Sequence, residues 1–333
     1  MNLSTCPRAA SLLTPGLLAL TLVIAAMLAG CGRDELRNRA DTPMQTVVLP
    51  EPTALEPRLA LELIERHPSG ITGLLGIAID DDDSVLLAGS SGIRVTDADG
   101  KELARWITPE PAQAVAPSPD TPSIWVAMSQ SIAIYNREGE QTGGWGVPGR
   151  GTGKLLVVTD LRVYGANVLV ADAGNRRIHR FDLVGDPITE IGVKDTETGN
   201  TGLICPSPFL GFDIDAQGVV CTPNPGELRV ERYDLDGELL GRWGEAGFAP
   251  EQFAGCCNPI DVALFDDGRI VTAEKSPARV KVYDSEGALL TYLGGERFSE
   301  EASGLDVAID SEGRIHVADP GSDEVLVFAF LKK

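Results

Sequence analysis

The sequence predicts an all-β chain folded as a six-bladed β-propeller, on three marks that recur along it. The first is a strand–turn–strand unit, clearest at Val168-Leu169-Val170-Ala171-Asp172-Ala173-Gly174-Asn175-Arg176-Arg177-Ile178-His179-Arg180-Phe181-Asp182. The second is an Asp/Asn-x-x-Gly turn at Asp97 to Gly100, Asn136 to Gly139, Asp182 to Gly185, Asp234 to Gly237 and Asp284 to Gly287. There the side-chain oxygen can accept an amide two residues on, and glycine supplies the positive φ of a tight hairpin. The third is a short apolar run before a turn, as at Gly76 to Asp80, Phe212 to Asp215, Val262 to Phe265 and Val307 to Asp310. Short, β-branched-rich runs bounded by turn residues read as strands. Their repetition at one period reads as a radial array of small sheets.

Each unit after the first carries an aromatic residue at the end of its third strand: Tyr135, Phe181, Tyr233, Tyr283 and Phe328. One large ring per unit suits wedges packed against one another. The units span about 71–107, 112–147, 154–192, 207–244, 257–294 and 303–331. The last is one strand short, and Leu59-Ala60-Leu61-Glu62-Leu63-Ile64-Glu65 alternates without another partner. This segment is expected to supply the outer strand of blade six and close the ring, leaving fewer sheet edges exposed.

The segments resemble NHL repeats, which build propellers of four-stranded blades. The resemblance is carried by Asp172 to Asp182 and by Gly237-Glu238-Leu239-Leu240-Gly241-Arg242-Trp243-Gly244 through Phe253 and Pro259, and it covers roughly residues 70 to 331. It is strong in the third, fifth and sixth units, fair in the fourth and weak in the first two. In those two, Ser90-Ser91-Gly92 and Ser129-Gln130 replace the Asn-Arg turn.

Residues 1–30 hold one charge, Arg8, and an apolar run from Leu17 to Leu28 too short to span a membrane. Leu28-Ala29-Gly30-Cys31 resembles the lipobox of bacterial lipoproteins, which implies signal cleavage and lipidation of Cys31. The competing reading is an ordinary secretory signal that contains a cysteine. Residues 31–58, charged and interrupted by Pro43, Pro50, Pro52 and Pro57, read as a flexible tether, with the propeller over 59–333. The expected location is the cell envelope, lipid-anchored, on a periplasmic or outer-membrane face. A formal charge of -21 disfavours nucleic acid as a partner, because an acidic surface repels phosphates. A monomer is expected.

Without Cys6 and Cys31, four cysteines remain: Cys205, Cys221, Cys256 and Cys257. Alignment on Gly218 and Gly268 places Cys205, Cys256 and Cys257 in inter-blade connections on one face, and Cys221 at an apolar strand position. Three readings stand open. The thiols could form structural disulfides, Cys205 with Cys221 and Cys256 with Cys257; they could build a redox or metal site; or they could be free.

The stretch Gly255-Cys256-Cys257-Asn258-Pro259, with Thr272 to Lys275 and Arg279 to Tyr283, resembles a subgroup of uncharacterised bacterial NHL-like proteins. That resemblance suggests that this face matters. Asn175, Arg176, Glu274, Lys275 and Arg279 are therefore the candidate binding residues, with Glu274, aligned to Asp172 and Asp319, also able simply to bond turn amides.

Enzymatic precedents fit less well. Peptide-amidating lyases, which have a similar propeller, hold zinc with several histidines, and this chain has only His67, His179 and His316. His179, which shares its repeat position with Arg94, Glu231 and Lys281, is expected to face solvent. A lactonase-like calcium site would use Asp261 and Asp306 in the channel, but Gly76, Val115, Thr159 and Gly211 fill the other positions. No catalytic triad spacing or phosphate loop stands out. The reading is a membrane-anchored module that binds a protein or peptide. The alternatives are a redox or metal-dependent protein using the four cysteines, and a lactonase- or lyase-like metal enzyme working in the channel. The sequence names no cofactor.

Overall fold

The structure, a computed structural model, describes residues 59–331. The expected signal segment, Cys31 and the whole tether over 31–58 lie outside the described residues. Six four-stranded antiparallel sheets form the blades. Blade one runs Leu74–Ile79, Val85–Gly89, Gly92–Thr96 and Glu102–Trp106 from the axis outward, and blades two to five repeat this order. In blade six the inner strands are Asp306–Ile309, Ile315–Asp319 and Glu324–Phe330, and the outer strand is Leu61–Pro68. The chain's first described strand thus pairs with its last, Leu61 opposite Phe330 and Pro68 opposite Glu324. The ring closes as the orphan alternating segment required.

Turn chemistry follows the sequence closely. In every Asp/Asn-x-x-Gly turn the glycine amide donates to the first residue's carbonyl, as Gly100 to Asp97 at 3.0 Å and Gly287 to Asp284 at 3.0 Å. The Asp284 carboxylate also accepts the amides of Glu286 and Ala288. Gly287 sits at φ 86°, where a β-carbon is disfavoured.

The five aromatic residues are buried between blades. Their partners are the tryptophans that end the preceding outer strands. Trp106 packs on Tyr135 (ring centroids 5.8 Å apart), Trp145 on Phe181 (4.7 Å) and Trp243 on Tyr283 (4.5 Å). Ile191 and Leu293 take the tryptophan's place against Tyr233 and Phe328. Each core is therefore an inter-blade seam, so burial of one blade's apolar face depends on its neighbour.

Candidate functional site

The up-and-down course of each blade puts its inter-blade connection and its second turn on one face of the disc, and its two hairpin turns on the other. The first, the connection face, carries Cys205, Cys256, Cys257, Arg176 and Lys275. Large apolar side chains are exposed in four connections: Ile107 (84% exposed), Val147, Ile204 and Phe248 (65%). Leu75, at the start of blade one's inner strand, joins them.

Asn258 fixes the cysteine-bearing connection to the blade-five turn. Its carbonyl oxygen accepts the Lys275 amide at 2.8 Å, and its amide group donates to Ala254 O at 2.6 Å and Lys275 O at 2.8 Å. Asp172 does equivalent work in blade three, accepting the amides of Leu156, Val157 and Asn175. Burial would raise its pKa, but His179 and those amides outweigh burial and hold it down to about 2.

The binding residues expected from sequence divide sharply. Arg176 is exposed and Lys275 half-exposed. Asn175 is buried, its amide spent on Asp172, Gly149 O and Lys154 O. Glu274 is buried too, and it bonds no turn amide. Its carboxylate pairs with Arg279 at 2.7 Å and with Lys281 at 2.6 Å. Burial drives the Lys281 pKa down to about 8, while Glu274 opposes that shift. Arg279 is thereby committed to the same buried network.

The cysteines do not form one cluster. Cys205 packs with the seam between blades three and four, whereas Cys221 is buried in the seam between blades four and five. The sheet of blade four separates them, so a Cys205–Cys221 bridge is ruled out, and all four thiols are free. Burial pushes both the Cys205 and the Cys221 thiol up to about 12, which keeps them protonated and unreactive. Cys256 and Cys257 differ. Their sulfurs lie 3.1 Å apart, about an ångström beyond a disulfide bond. Cys256 is exposed and Cys257 buried.

Each histidine has its own carboxylate. His67 Nε2 meets Glu65 at 2.7 Å, and His316 Nε2 meets Asp310 at 2.8 Å. His179 is buried 3.7 Å from Asp172 and 3.6 Å from Glu190, contrary to the expected solvent position. Its strand's register turns this side chain into the blade seam beside Phe181. Among the described residues, no three His, Cys, Asp or Glu side chains are grouped as a metal site.

The central channel brings Asp261 and Asp306 together as alignment placed them, and adds a third carboxylate, Asp160, that alignment missed. Asp160, Asp261 and Asp306 occupy equivalent inner-strand positions, opposite Ala171, Ala273 and Ala318. A bulge between Val158 and Asp160 shifts blade three by one residue, so Asp160 and not Thr159 lies there; in blade two the position belongs to Ala114, not Val115. The recurring dipeptides Asp160-Leu161, Asp261-Val262 and Asp306-Val307 were the signal available. One layer along, Arg162 and Asp213 face the same axis.

These carboxylates link blades. Asp160 accepts the amide of Phe212, Asp213 that of Leu264, Asp261 that of Val307 and Asp306 that of Ile77. Each bond runs from one inner strand to the next, satisfying donors that would otherwise be orphaned in the channel. Arg162 donates to Asp160 at 2.6 Å and lies 3.5 Å from Asp213. Burial raises Asp160 to about 7 despite Arg162. Burial, then the neighbouring Asp306, holds Asp261 well above the carboxylate range. Above this belt a cavity of about 90 Å³ opens on the connection face, partly roofed by Phe209. On the opposite face lies a wider bowl of about 510 Å³.

No family model matches the chain, and no curated protein matches it in sequence. Among solved structures, one titled "Streptogramin B lyase structure" superposes with a TM-score of 0.56 at 12% identity, covering 82% of this chain and 98% of that one. At this identity the likeness establishes the shared β-propeller architecture.

Proposed function

We propose that the protein is an NHL-like binding module, held to a membrane through lipidated Cys31, that engages a protein or peptide with its connection face. The observation that carries this reading is the set of exposed apolar residues, Ile107, Val147, Ile204 and Phe248, presented by four successive connections on one face. Exposed apolar residues gathered on one surface and rimmed by polar groups favour association over solvation. Arg176 and Lys275 supply the rim. A rigid ring spreads these loops at fixed spacing, so a partner meets an already ordered surface.

A channel metal enzyme is a weaker reading. The channel carboxylates are tied to backbone amides of neighbouring blades, and among the described residues no three His, Cys, Asp or Glu side chains are grouped as a metal site.

The test is affinity capture from native membranes with the full chain, comparing Phe248→Asp and Ile107→Asp with Val184→Asp. Val184 is an exposed residue of a hairpin turn on the opposite face. A partner retained by the Val184 variant and lost by the other two supports the reading. Retention by all three would refute it.

A further inference from the structure

We propose that Cys256 and Cys257 form a thiol–disulfide exchange site that reduces the disulfide of a peptide, closing to a vicinal disulfide as it does so. Three observations place this chemistry here and not at Cys205 or Cys221. The two sulfurs already stand 3.1 Å apart, so a bond between them needs about an ångström of movement. Cys256 is open to solvent while Cys257 is buried behind it, which separates an attacking thiol from a resolving one. The surroundings of Cys257 are built to hold a thiolate.

Those surroundings come from three segments. The Lys275 ammonium and the Ser207 hydroxyl are the neighbours that favour the Cys257 thiolate. The Ser207 oxygen is buried and makes no hydrogen bond, which leaves it free to turn toward a thiolate. Lys275 is held in place because Asn258, the residue after Cys257, binds its backbone on both sides. The Lys275 ammonium also stands 5.2 Å from the centre of the Phe209 ring. Burial acts to raise the Cys257 thiol, but Cys256, Lys275 and Ser207 together outweigh it and hold the thiol below its ordinary range. Cys256, beside that developing negative charge, is shifted upward by its contact with Cys257.

The Cys257 thiolate accepts the Cys256 proton across the S–S contact as Cys256 attacks one sulfur of the substrate disulfide R–S–S–R. A Cys256–S–S–R bond forms, the substrate S–S bond breaks, and the first R–S⁻ leaves and takes up a proton. Cys257 then loses its proton and attacks Cys256 Sγ, displacing the second R–S⁻, which is protonated in turn. In sum two protein thiols and one substrate disulfide become one vicinal disulfide and two substrate thiols. The pair supplies two electrons. An exposed Phe248 in the same connection and Phe209 beside Lys275 give an apolar setting that suits a peptide better than a small polar disulfide. The chemistry requires neither the membrane nor the partner of the binding reading.

The experiment incubates the reduced full chain with a cystine-bridged peptide or with hydroxyethyl disulfide, following thiol loss and mapping the products by mass spectrometry. The expected product is a Cys256–Cys257 disulfide with two substrate thiols released per chain, faster with the peptide. Cys257→Ser should stop at a mixed disulfide on Cys256, and Cys256→Ser should not react. Lys275→Gln should slow exchange at neutral pH severalfold by reducing the thiolate fraction, and move the pH–rate profile upward. Circular dichroism confirms that each variant is folded. A mixed disulfide that never resolves in the parent chain would overturn the proposal. So would Lys275→Gln reacting at the parent rate, or hydroxyethyl disulfide reacting as fast as the peptide.

Discussion

The carboxylate of Asp261 accepts the backbone amide of Val307 at 2.9 Å, tying the inner strand of blade five to that of blade six. The same relation recurs from Asp306 to Ile77, Asp160 to Phe212 and Asp213 to Leu264. The channel is thus laced by side chains instead of being filled by them. The cost is electrostatic, since several carboxylates and one guanidinium share a dry space.

That cost sets a pH dependence. Asp160, raised to about 7 by burial, and Asp261, raised by burial and by Asp306, keep protons in the folded chain where the unfolded chain, near 3.8, has lost them. The stabilising contribution of Asp160 is complete below pH 3.8 and disappears as pH rises through about 7, and that of Asp261 is lost in the same direction. Asp172 and Asp310, held near 2, act the other way: their contribution is present above 3.8 and disappears as pH falls through about 2. The melting temperature should therefore peak on the acid side of neutral and fall toward both pH 2 and pH 8.

Asp261→Asn separates the two effects. An asparagine can still accept the Val307 amide while presenting an uncharged NH₂ group toward Asp306. Thermal melts should find this variant at least as stable as the parent at pH 7, with a flatter slope between pH 4 and pH 7. A large loss at pH 7 would show that the ionised carboxylate is required.

Gly211 is small for a steric reason. A β-carbon there would fall 1.8 Å from Asp261 Oδ1. Gly211→Ala should cost about 1–3 kcal/mol through forced displacement of that carboxylate. Denaturant titration of Gly211→Ala alone and combined with Asp261→Ala would check this, and the second change should relieve part of the penalty.

Legibility of the sequence ended where register broke. Turn glycines, seam aromatics and the closing strand followed from local chemistry, because each leaves a residue-level signature. Asp160 did not, since the bulge beside Val158 adds one residue and moves Thr159 off the axis. Glu274 misled for another reason. It shares a repeat position with Asp172, but its longer side chain reaches Lys281, a buried cation that only three-dimensional packing reveals. Cys205 and Cys221 looked like partners by proximity in sequence, yet one sheet lies between them.

The buried network gives a stability prediction. Glu274→Ala would strand both Arg279 and the fully buried Lys281 without their carboxylate. Removing one member of a buried ion pair costs about 3–5 kcal/mol, and urea unfolding should register a loss of that size. Lys275→Ala, one residue along but half-exposed, should change stability by less than about 0.5 kcal/mol.

Ring closure can be removed directly. Leu61 and Leu63 pack on the seam between blades five and six, and their strand covers the edge of Glu324–Phe330. Deleting residues 59–66 should lower the melting temperature by more than about 5 °C and expose that edge to self-association. An unchanged melt in a monomeric product would contradict the closure role.

The connection face is the proposed working surface of the ring. Site-specific photo-crosslinking in intact cells, with the reactive group placed at Phe248, Ile107 or Val184 in turn, addresses it most directly. Discrete adducts to the same protein or peptide from Phe248 and Ile107, and none from Val184, are predicted. Adducts from Val184 alone, or none from either connection, would contradict it.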